Sequence, residues 1–253
     1  MKRALFFVIS IVFVQGIKGQ SPQFSQFYAT AVYLNPALTG NTEINRIAGN
    51  YRKQWPGIPG AFTSYSIAYD YNWSALNTGL GFIATRDEAG SGGLKYTSFS
   101  GLVSHKFQVR ENMWANAGMS FGIGIRSANV ADYLFSDQIV SGGGATNETI
   151  AASKSFGDIN AGVVVYGLAY WGGLSAYHLN RPNESLVDDQ SSQVPTQWSL
   201  HGGYKFIIEE SNKGVVKRSF TPTVNYKFSA KFDQLDIGAY TTQNKLLIGL
   251  WYR

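Results

Sequence analysis

The chain of 253 residues contains no cysteine, only three histidines and few charged residues. Without cysteine it can form neither disulfides nor Cys-based zinc sites, and it has no thiol nucleophile. His105, His178 and His201 do not stand at a spacing typical of metal ligands, so we expect no metal and no other cofactor. Charged residues make up 15% of the chain, whereas soluble domains usually contain about 25%. The composition therefore favours a membrane protein held together by backbone pairing and packing.

The first residues, "MKRALFFVISIVFVQGIKGQ", contain the parts of a secretory signal peptide. Lys2 and Arg3 precede an apolar stretch over 4–14, and small or polar residues follow it, with cleavage expected near Gly19. A buried N-terminal helix is the alternative, but the apolar run is too short to span a bilayer and has the wrong flanks for an amphipathic helix. We therefore predict that residues 1–19 are a cleaved signal peptide and that the protein is exported.

The positive net charge comes mainly from this leader. Three of the 21 basic residues and none of the 16 acidic ones lie in residues 1–19, so the remainder carries a formal net charge of +2 rather than +5. The other basic residues, including Arg52, Lys53, Lys95 and Lys106, are scattered along the chain. A nucleic-acid partner is therefore not expected.

Alternation of apolar and polar residues predicts β-strands throughout the exported part. In "TSYSIAYDYNW", Tyr65, Ile67 and Tyr69 share one face, while Ser64 and Ser66 share the other. The apolar face suits contact with lipid, and the polar face suits a water-filled lumen. The pattern predicts about eleven strands, near residues 46–55, 63–73, 77–86, 94–107, 113–127, 156–166, 170–179, 196–207, 217–229, 232–241 and 244–253.

A run without charged residues separates Asp158 from Arg181, and its length alone would permit a transmembrane helix. Its four glycines, three consecutive valines and several tyrosines favour a hairpin with a tight turn near 167–170. No other segment after the leader resembles a membrane helix.

Short and long connections alternate between the predicted strands. "SALN", "QVREN" and the turn near Gly167 are short, whereas "RDEAGSGG", residues 127–155 and "NRPNESLVDDQSSQVP" are long. Periplasmic turns and extracellular loops alternate in this way in bacterial barrels, whereas a soluble β-sandwich has no reason to do so. We therefore predict an all-β protein, an antiparallel transmembrane β-barrel of the outer-membrane type.

Eleven is an odd number of strands, and bacterial single-chain barrels normally have an even number. The chain also ends at Arg253 without the terminal aromatic residue common in such barrels. Either the count is wrong by one, or the chain is C-terminally truncated and lacks its closing strands. The predicted organisation is a signal peptide over 1–19, a periplasmic or plug segment over 20–44, and the barrel, incomplete at its C-terminus, over 45–253.

Two motifs and the chain end resemble one family. "SPQFSQFYATAVYLNPALTGN" after the leader, "GLSAYHLNRPNESL" in the middle and "GLWYR" at the end together resemble the PorP/SprF outer-membrane proteins of the type IX secretion system. The resemblance runs from Pro22 to Arg253. Tyr177 and Arg181 replace other polar residues of the central motif. Similar members continue for several strands past "GLWYR", which supports truncation.

The resemblance implies a non-enzymatic barrel in the outer membrane of a Gram-negative bacterium. Such a barrel would anchor or dock the periplasmic secretion and gliding machinery. Its expected partners are outer-membrane lipid, periplasmic and outer-membrane components of the machinery, and secreted cargo such as surface adhesins. A diffusion porin or small-solute channel is the alternative; it should carry opposed charges in its lumen, but the inferred lumen stripes are mostly Ser, Gly, Asn and Ala.

Ser175 and His178 raise the question of a catalytic pair. On one strand, residues three apart face opposite sides, so no Ser–His dyad can form within it. A hydrolase also needs an oriented base and an oxyanion hole, so a rim histidine that donates to loop backbone is favoured over a base. "GLGFIA" at 79–84 partly matches a dinucleotide fingerprint, but it lies within an alternating strand, where its glycines would permit close approach of strands or curvature.

The segment 23–40 is the strongest candidate for contact with a partner. It contains no charged residue, and it lacks clear strand or helix periodicity. Such an aromatic segment must bury itself, either as a plug inside the lumen or against a partner. The partner-binding residues predicted here are Gln23, Phe24, Phe27, Tyr28, Tyr33, Asn35 and Pro36.

Overall fold

The computed structural model describes residues 31–43, 45–58, 60–90, 93–129, 136–140, 151–187, 191–210, 216–230, 232–244 and 246–253. Twelve strands form one sheet: β1 Asn45–Gln54, β2 Phe62–Trp73, β3 Thr78–Ala89, β4 Leu94–Arg110, β5 Met113–Ser127, β6 Ser153–Gly167, β7 Tyr170–Tyr177, β8 Gln197–Tyr204, β9 Phe206–Glu210, β10 Val216–Ser229, β11 Phe232–Gln243 and β12 Leu246–Tyr252. The helical elements are short: α1 Ala31–Leu34, α2 Ser136–Val140, and 3₁₀ turns at Pro36–Leu38 and Ser74–Leu76. Within these residues, no helix has both the length and the apolar character needed to cross a membrane.

Neighbouring strands pair antiparallel in sequence order from β1 to β8, and then through β10, β11 and β12. This meander confirms the predicted all-β class, and the pairing of β6 with β7 confirms the predicted hairpin over the uncharged run. The two outer strands of the sheet, β1 and β12, each pair on one side only within the described residues.

The predicted strand at 196–207 is divided in two. β8 and β9 both pair with β10, with Gly203 opposite Thr223 and Phe206 opposite Phe220. Pro222 lies between these two pairings, and it has no N–H to donate to a neighbouring strand. The N–H of Lys205, in the interruption, donates instead to the carbonyl of Ala169. The twelve strands therefore follow the eleven predicted paths.

The connections place the short turns mainly at one end of the sheet, here called the turn end. Residues 74–77, 111–112, 168–169 and 244–245 connect strands there. The opposite loop end carries the long connections 128–152 and 178–196. Two links at the loop end are exceptions to the predicted alternation because they are short. One is 230–231, and the other is 90–93, since the first half of the predicted long connection "RDEAGSGG" belongs to β3.

The two faces of the sheet differ as the alternation predicts. On β2, Tyr65, Ile67 and Tyr69 are exposed, whereas Ser64 and Ser66 on the other face are buried. The same pattern runs through β5, where Met119, Phe121 and Ile123 are exposed. So large an exposed apolar surface is typical of a protein embedded in lipid.

The inner face, defined as the face that bears Ser64 and Ser66, curves around the described N-terminal residues 31–43. This inner segment contacts strands from β1 to β8: Arg46 of β1 reaches Leu38, and His201 of β8 reaches Asn35. The sheet is therefore bent into a barrel-like trough, and most of its described buried core is polar rather than aliphatic.

Candidate functional site

The inner segment is held at its centre by Asn35. Its side-chain oxygen accepts a hydrogen bond from the N–H of Ala37 at 2.8 Å, which caps the 3₁₀ turn begun by Pro36. Its amide nitrogen donates to the carbonyls of Val163 on β6 and Leu174 on β7, at 3.1 and 3.2 Å. Asn35 is fully buried, and a buried amide is stable only when its polar groups are satisfied. One side chain therefore fixes both the shape of the segment and its position on the sheet.

Glycines on three strands make room for the segment. A Cβ atom at Gly118 of β5 would lie 2.5 Å from the backbone nitrogen of Ala37, and one at Gly162 of β6 would collide with the Asn35 side chain. A Cβ at Gly79 of β3 would collide with the carbonyl of Thr39. The glycines of "GLGFIA" therefore permit close approach, but the group that approaches most closely is the inner segment and not a neighbouring strand, as the prediction had it.

Polar contacts anchor the segment towards the turn end. The N–H of Gly40 donates to the Asp70 carboxylate at 2.7 Å, and Arg46 Nε donates to the same carboxylate at 2.9 Å. Arg46 also donates to the carbonyl of Leu38 at 3.3 Å. Asp70 is almost completely buried, so this pair is shielded from solvent on the carboxylate side. On β4, Ser104 donates to the carbonyl of Thr39 at 2.7 Å.

Apolar contacts hold α1. Val32 packs against Ala68, Ile83 and Leu102, which lie on the inner faces of β2, β3 and β4. The carbonyl of Tyr33 accepts a hydrogen bond from the Tyr177 hydroxyl at 2.6 Å. Burial raises the pKa of the Tyr33 phenol.

The structure places three of the seven predicted partner-binding residues in this arrangement. Asn35 and Pro36 are buried, and Tyr33 is partly buried. Gln23, Phe24, Phe27 and Tyr28 lie outside the described residues. The side chains of Tyr33, Asn35 and Pro36 are thus engaged within the chain itself.

Ser175 and His178 are held by different groups. The Ser175 hydroxyl donates to the carbonyl of Leu34 at 2.9 Å, while His178 Nδ1 lies 2.8 Å from Asp158. The prediction of a histidine that donates to loop backbone was wrong about the acceptor, because the imidazole pairs with a carboxylate on β6. Alternation puts Asp158 on the inner face of β6, near the end of β7 where His178 lies, but a single sequence does not reveal this register.

Sequence reasoning missed a serine–histidine contact on β8. Ser199 Oγ lies 3.3 Å from His201 Nδ1 and donates to Asn225 at 2.8 Å, while His201 Nε2 lies 3.2 Å from the Asn35 amide. Residues two apart on a strand share a face, so the spacing of Ser199 and His201 could have indicated this contact. Its geometry is structural, because the serine proton is directed at an amide oxygen.

Charges are more frequent on the inner face than the predicted stripes indicated. Asp236 accepts hydrogen bonds from Asn225, Gln234 and Arg253, at 3.1, 2.8 and 2.7 Å. Arg126 pairs with Glu184 near the loop end. These opposed charges are paired across neighbouring elements. Within the described residues, no three His, Cys, Asp or Glu side chains form a cluster that could hold a metal ion.

A curved antiparallel sheet with an apolar outer face and a chain segment bound to its inner face defines a membrane protein of the β-barrel class. The family model for the type IX secretion system membrane protein PorP/SprF matches residues 17–253. The match covers nearly the whole chain, so the chain belongs to this family. No curated protein matches it significantly.

Proposed function

We propose that the protein is a non-enzymatic outer-membrane component of the type IX secretion system that docks the periplasmic machinery through its N-terminal segment. In this proposal the leader 1–19 is removed on export from the cytoplasm of a Gram-negative bacterium. The barrel anchors periplasmic and outer-membrane components of the secretion and gliding apparatus in the lipid. It thereby supports the export of cargo such as surface adhesins.

The observation that carries the proposal is the position of the inner segment. Family membership supports work in type IX secretion. The segment is bound through residues 31–40, and its contacts with Asp70 and Arg46 run towards the turn end. In a bacterial barrel the short turns face the periplasm. The Gly40 end of the segment is fixed there, so the surface that this end forms is suitably placed to meet a periplasmic partner.

The absence of catalysis in this proposal is supported by the hydrogen bonds of both serines. The proton of Ser175 is directed at the Leu34 carbonyl, and that of Ser199 at the Asn225 amide oxygen. A serine nucleophile needs a base that accepts its proton. If the protein were a hydrolase, lipase or protease activity would disappear in the His178→Ala variant.

Replacing Phe24, Phe27 and Tyr28 by serine tests the docking role. We expect the triple variant to insert into the outer membrane normally but to lose secretion of type IX cargo. A control variant replaces Trp55 and Ile58, which are exposed at the loop end, with serine and should keep secretion. Loss of membrane insertion together with secretion in the triple variant would reject the docking role.

A diffusion porin is the competing function, because a porin should carry opposed charges in its lumen and the inner face contains such charges. An ion-conducting porin needs an open path, whereas the inner segment spans the inner face from β1 to β8. We therefore expect little or no single-channel conductance in planar bilayers. A stable open conductance from the unmodified protein would favour the porin.

A further inference from the structure

A cavity of about 420 Å³, lined mainly by polar residues, lies at the turn end between the inner segment and the sheet. Thr39, Gly40 and Thr42 form one side, and residues of β2 to β6 form the other. Its volume is within the usual range for small-ligand sites, about 300–1,000 Å³. The lining is rich in amides and hydroxyls, unlike the apolar outer face of the sheet.

Lys106 supplies a positive charge to this cavity. Its ammonium lies 5.6 Å from the ring centre of Trp114 and 5.8 Å from that of Tyr166, two rings that stack on each other. Cation–π contacts of this kind hold an ammonium in place without neutralising it. Within the described parts of the chain, no carboxylate lies within 4 Å of Lys106. The cavity therefore contains an oriented cation that can still bind an anion.

Three residues that line the cavity each contain a buried polar atom without a hydrogen-bond partner among the described residues: Thr42 Oγ1, Asn116 Oδ1 and Tyr166 Oη. Asn116 is 4% exposed, and its amide nitrogen donates to the carbonyl of Ala37 at 3.2 Å. That bond leaves Oδ1 as an acceptor in need of an N–H or O–H donor. Buried polar groups in folded proteins are nearly always satisfied, so this group of atoms indicates a ligand or ordered water.

The chemistry of the lining selects a peptide over a sugar. A sugar would need the aromatic faces for stacking, but the Lys106 ammonium lies over them. A peptide offers N–H donors for Asn116 Oδ1 and carbonyl acceptors for the Tyr166 hydroxyl. An acidic side chain would pair with Lys106, whereas the exposed Glu43 at the rim disfavours a long run of acids.

We propose that this cavity binds a polypeptide segment that carries a single acidic side chain and approaches from the turn end. The inference rests on the docking function proposed above and adds the chemistry of the docked segment. Lys106 pairs with the carboxylate of the segment, while Asn116, Tyr166 and Thr42 bind its backbone.

Two short peptides test this site, and they differ only in whether the central side chain ends in a carboxylate or an amide. The probes are acetyl-Gly-Asp-Gly-amide and acetyl-Gly-Asn-Gly-amide, titrated against the full chain in detergent micelles by saturation-transfer NMR. We expect the Asp peptide to bind the unmodified protein roughly 10-fold more tightly than the Asn peptide, because only the carboxylate forms a charge-assisted bond with Lys106. In Lys106→Gln this preference should vanish.

Lys205→Gln is the matched control, because Lys205 lies at the same end of the sheet and outside the cavity. It should keep the full preference for the Asp peptide.

Tyr166→Phe keeps the ring beneath Lys106 but removes the unpartnered hydroxyl. It should therefore weaken the binding of both peptides several-fold and leave the ratio of their affinities unchanged. This variant retains the packing of the site and therefore separates ligand binding from folding.

The peptide titrations test the cavity proposal without testing the docking function. Failure of the Asp peptide to bind the unmodified protein, equal binding of the two peptides, or a preference that survives Lys106→Gln would each overturn the proposal and leave water as the occupant. The serine variant of residues 24, 27 and 28 reports on docking independently, because its readout is secretion and it leaves Lys106, which sets the peptide preference, unchanged. Loss of secretion in that variant without peptide preference at Lys106 would reject the cavity and retain the docking function.

Discussion

Two parts of the inner face satisfy their polar groups in different ways. From β2 to β8, glycines leave space and side chains such as Asp70 and Ser104 bind the inner segment. From β10 to β12, Asn225, Gln234 and Arg253 converge on Asp236, so these strands bind one another. The first part is shaped to bind the inner segment, while the side chains of the second part connect the strands of the sheet to one another.

This difference can be measured through Thr39, which is 1% exposed at the centre of the first part. The chain has no cysteine, so Thr39→Cys introduces a unique thiol of nearly the same size. Its rate of labelling by a soluble maleimide in the folded protein reports how often the segment leaves the sheet. A 10-fold change in that equilibrium corresponds to about 1.4 kcal/mol.

The largest effect is expected for Gly118→Val. The new side chain would meet the backbone of Pro36 and Ala37, which cannot move aside by a rotamer change. We expect labelling at position 39 to accelerate by roughly 100-fold or more. Gly101→Val on β4 is the control, since its Cβ would have no atom within 4 Å, and it should leave labelling unchanged. Equal effects of the two variants would contradict a fitted groove.

Asn35→Ala should come next. It removes the hydrogen bonds to the carbonyls of Val163 and Leu174 and the cap on Ala37, at a cost of about 1–3 kcal/mol. Labelling at position 39 should therefore rise about 10- to 100-fold. The exposed Asn41, replaced by alanine, provides the comparison and should have little effect. An Asn35→Ala protein that labels at the unmodified rate would show that packing alone holds the segment.

Asp70→Asn should have an intermediate effect of about 10-fold, because the neutral side chain loses the charge-assisted bonds from Gly40 and Arg46. Arg46 is partly exposed, so after the substitution water can solvate its guanidinium, and this limits the loss of stability. Glu88→Gln removes an exposed pair with Arg86 and should change labelling far less. If the two substitutions had equal effects, the Asp70 anchor would carry no special role.

The smallest effect on the segment is expected for Asp236→Asn, less than about 2-fold in labelling, because Asp236 reaches Asn35 only indirectly, through successive contacts of Asn225, Ser199 and His201. The substitution should instead loosen β10 to β12, seen as faster hydrogen exchange of their amides. Labelling at position 39 that rises as much as in Asp70→Asn would show that the two parts of the inner face are coupled.

The strands and their two faces were predictable because alternation is a local property of each segment. The division of one strand at Lys205 was missed, since it depends on Pro222 lying opposite the gap between Gly203 and Phe206. The contacts of Asn35 were also beyond prediction, because they join it to Val163, Leu174 and His201, more than 120 positions away. A single sequence contains the polar residues of the site, but not the registers that bring them together.

Whether the segment is bound to the inner face can be measured by comparing the labelling of Thr39→Cys with that of Asn41→Cys. The two positions are two residues apart, one buried against β3 and β4 and the other exposed. A segment bound to the inner face predicts that position 41 labels at least roughly 100-fold faster than position 39 in the folded protein, and that Gly118→Val removes this difference. Equal labelling of the two positions in the two single-cysteine proteins would show that the segment is not bound to the inner face.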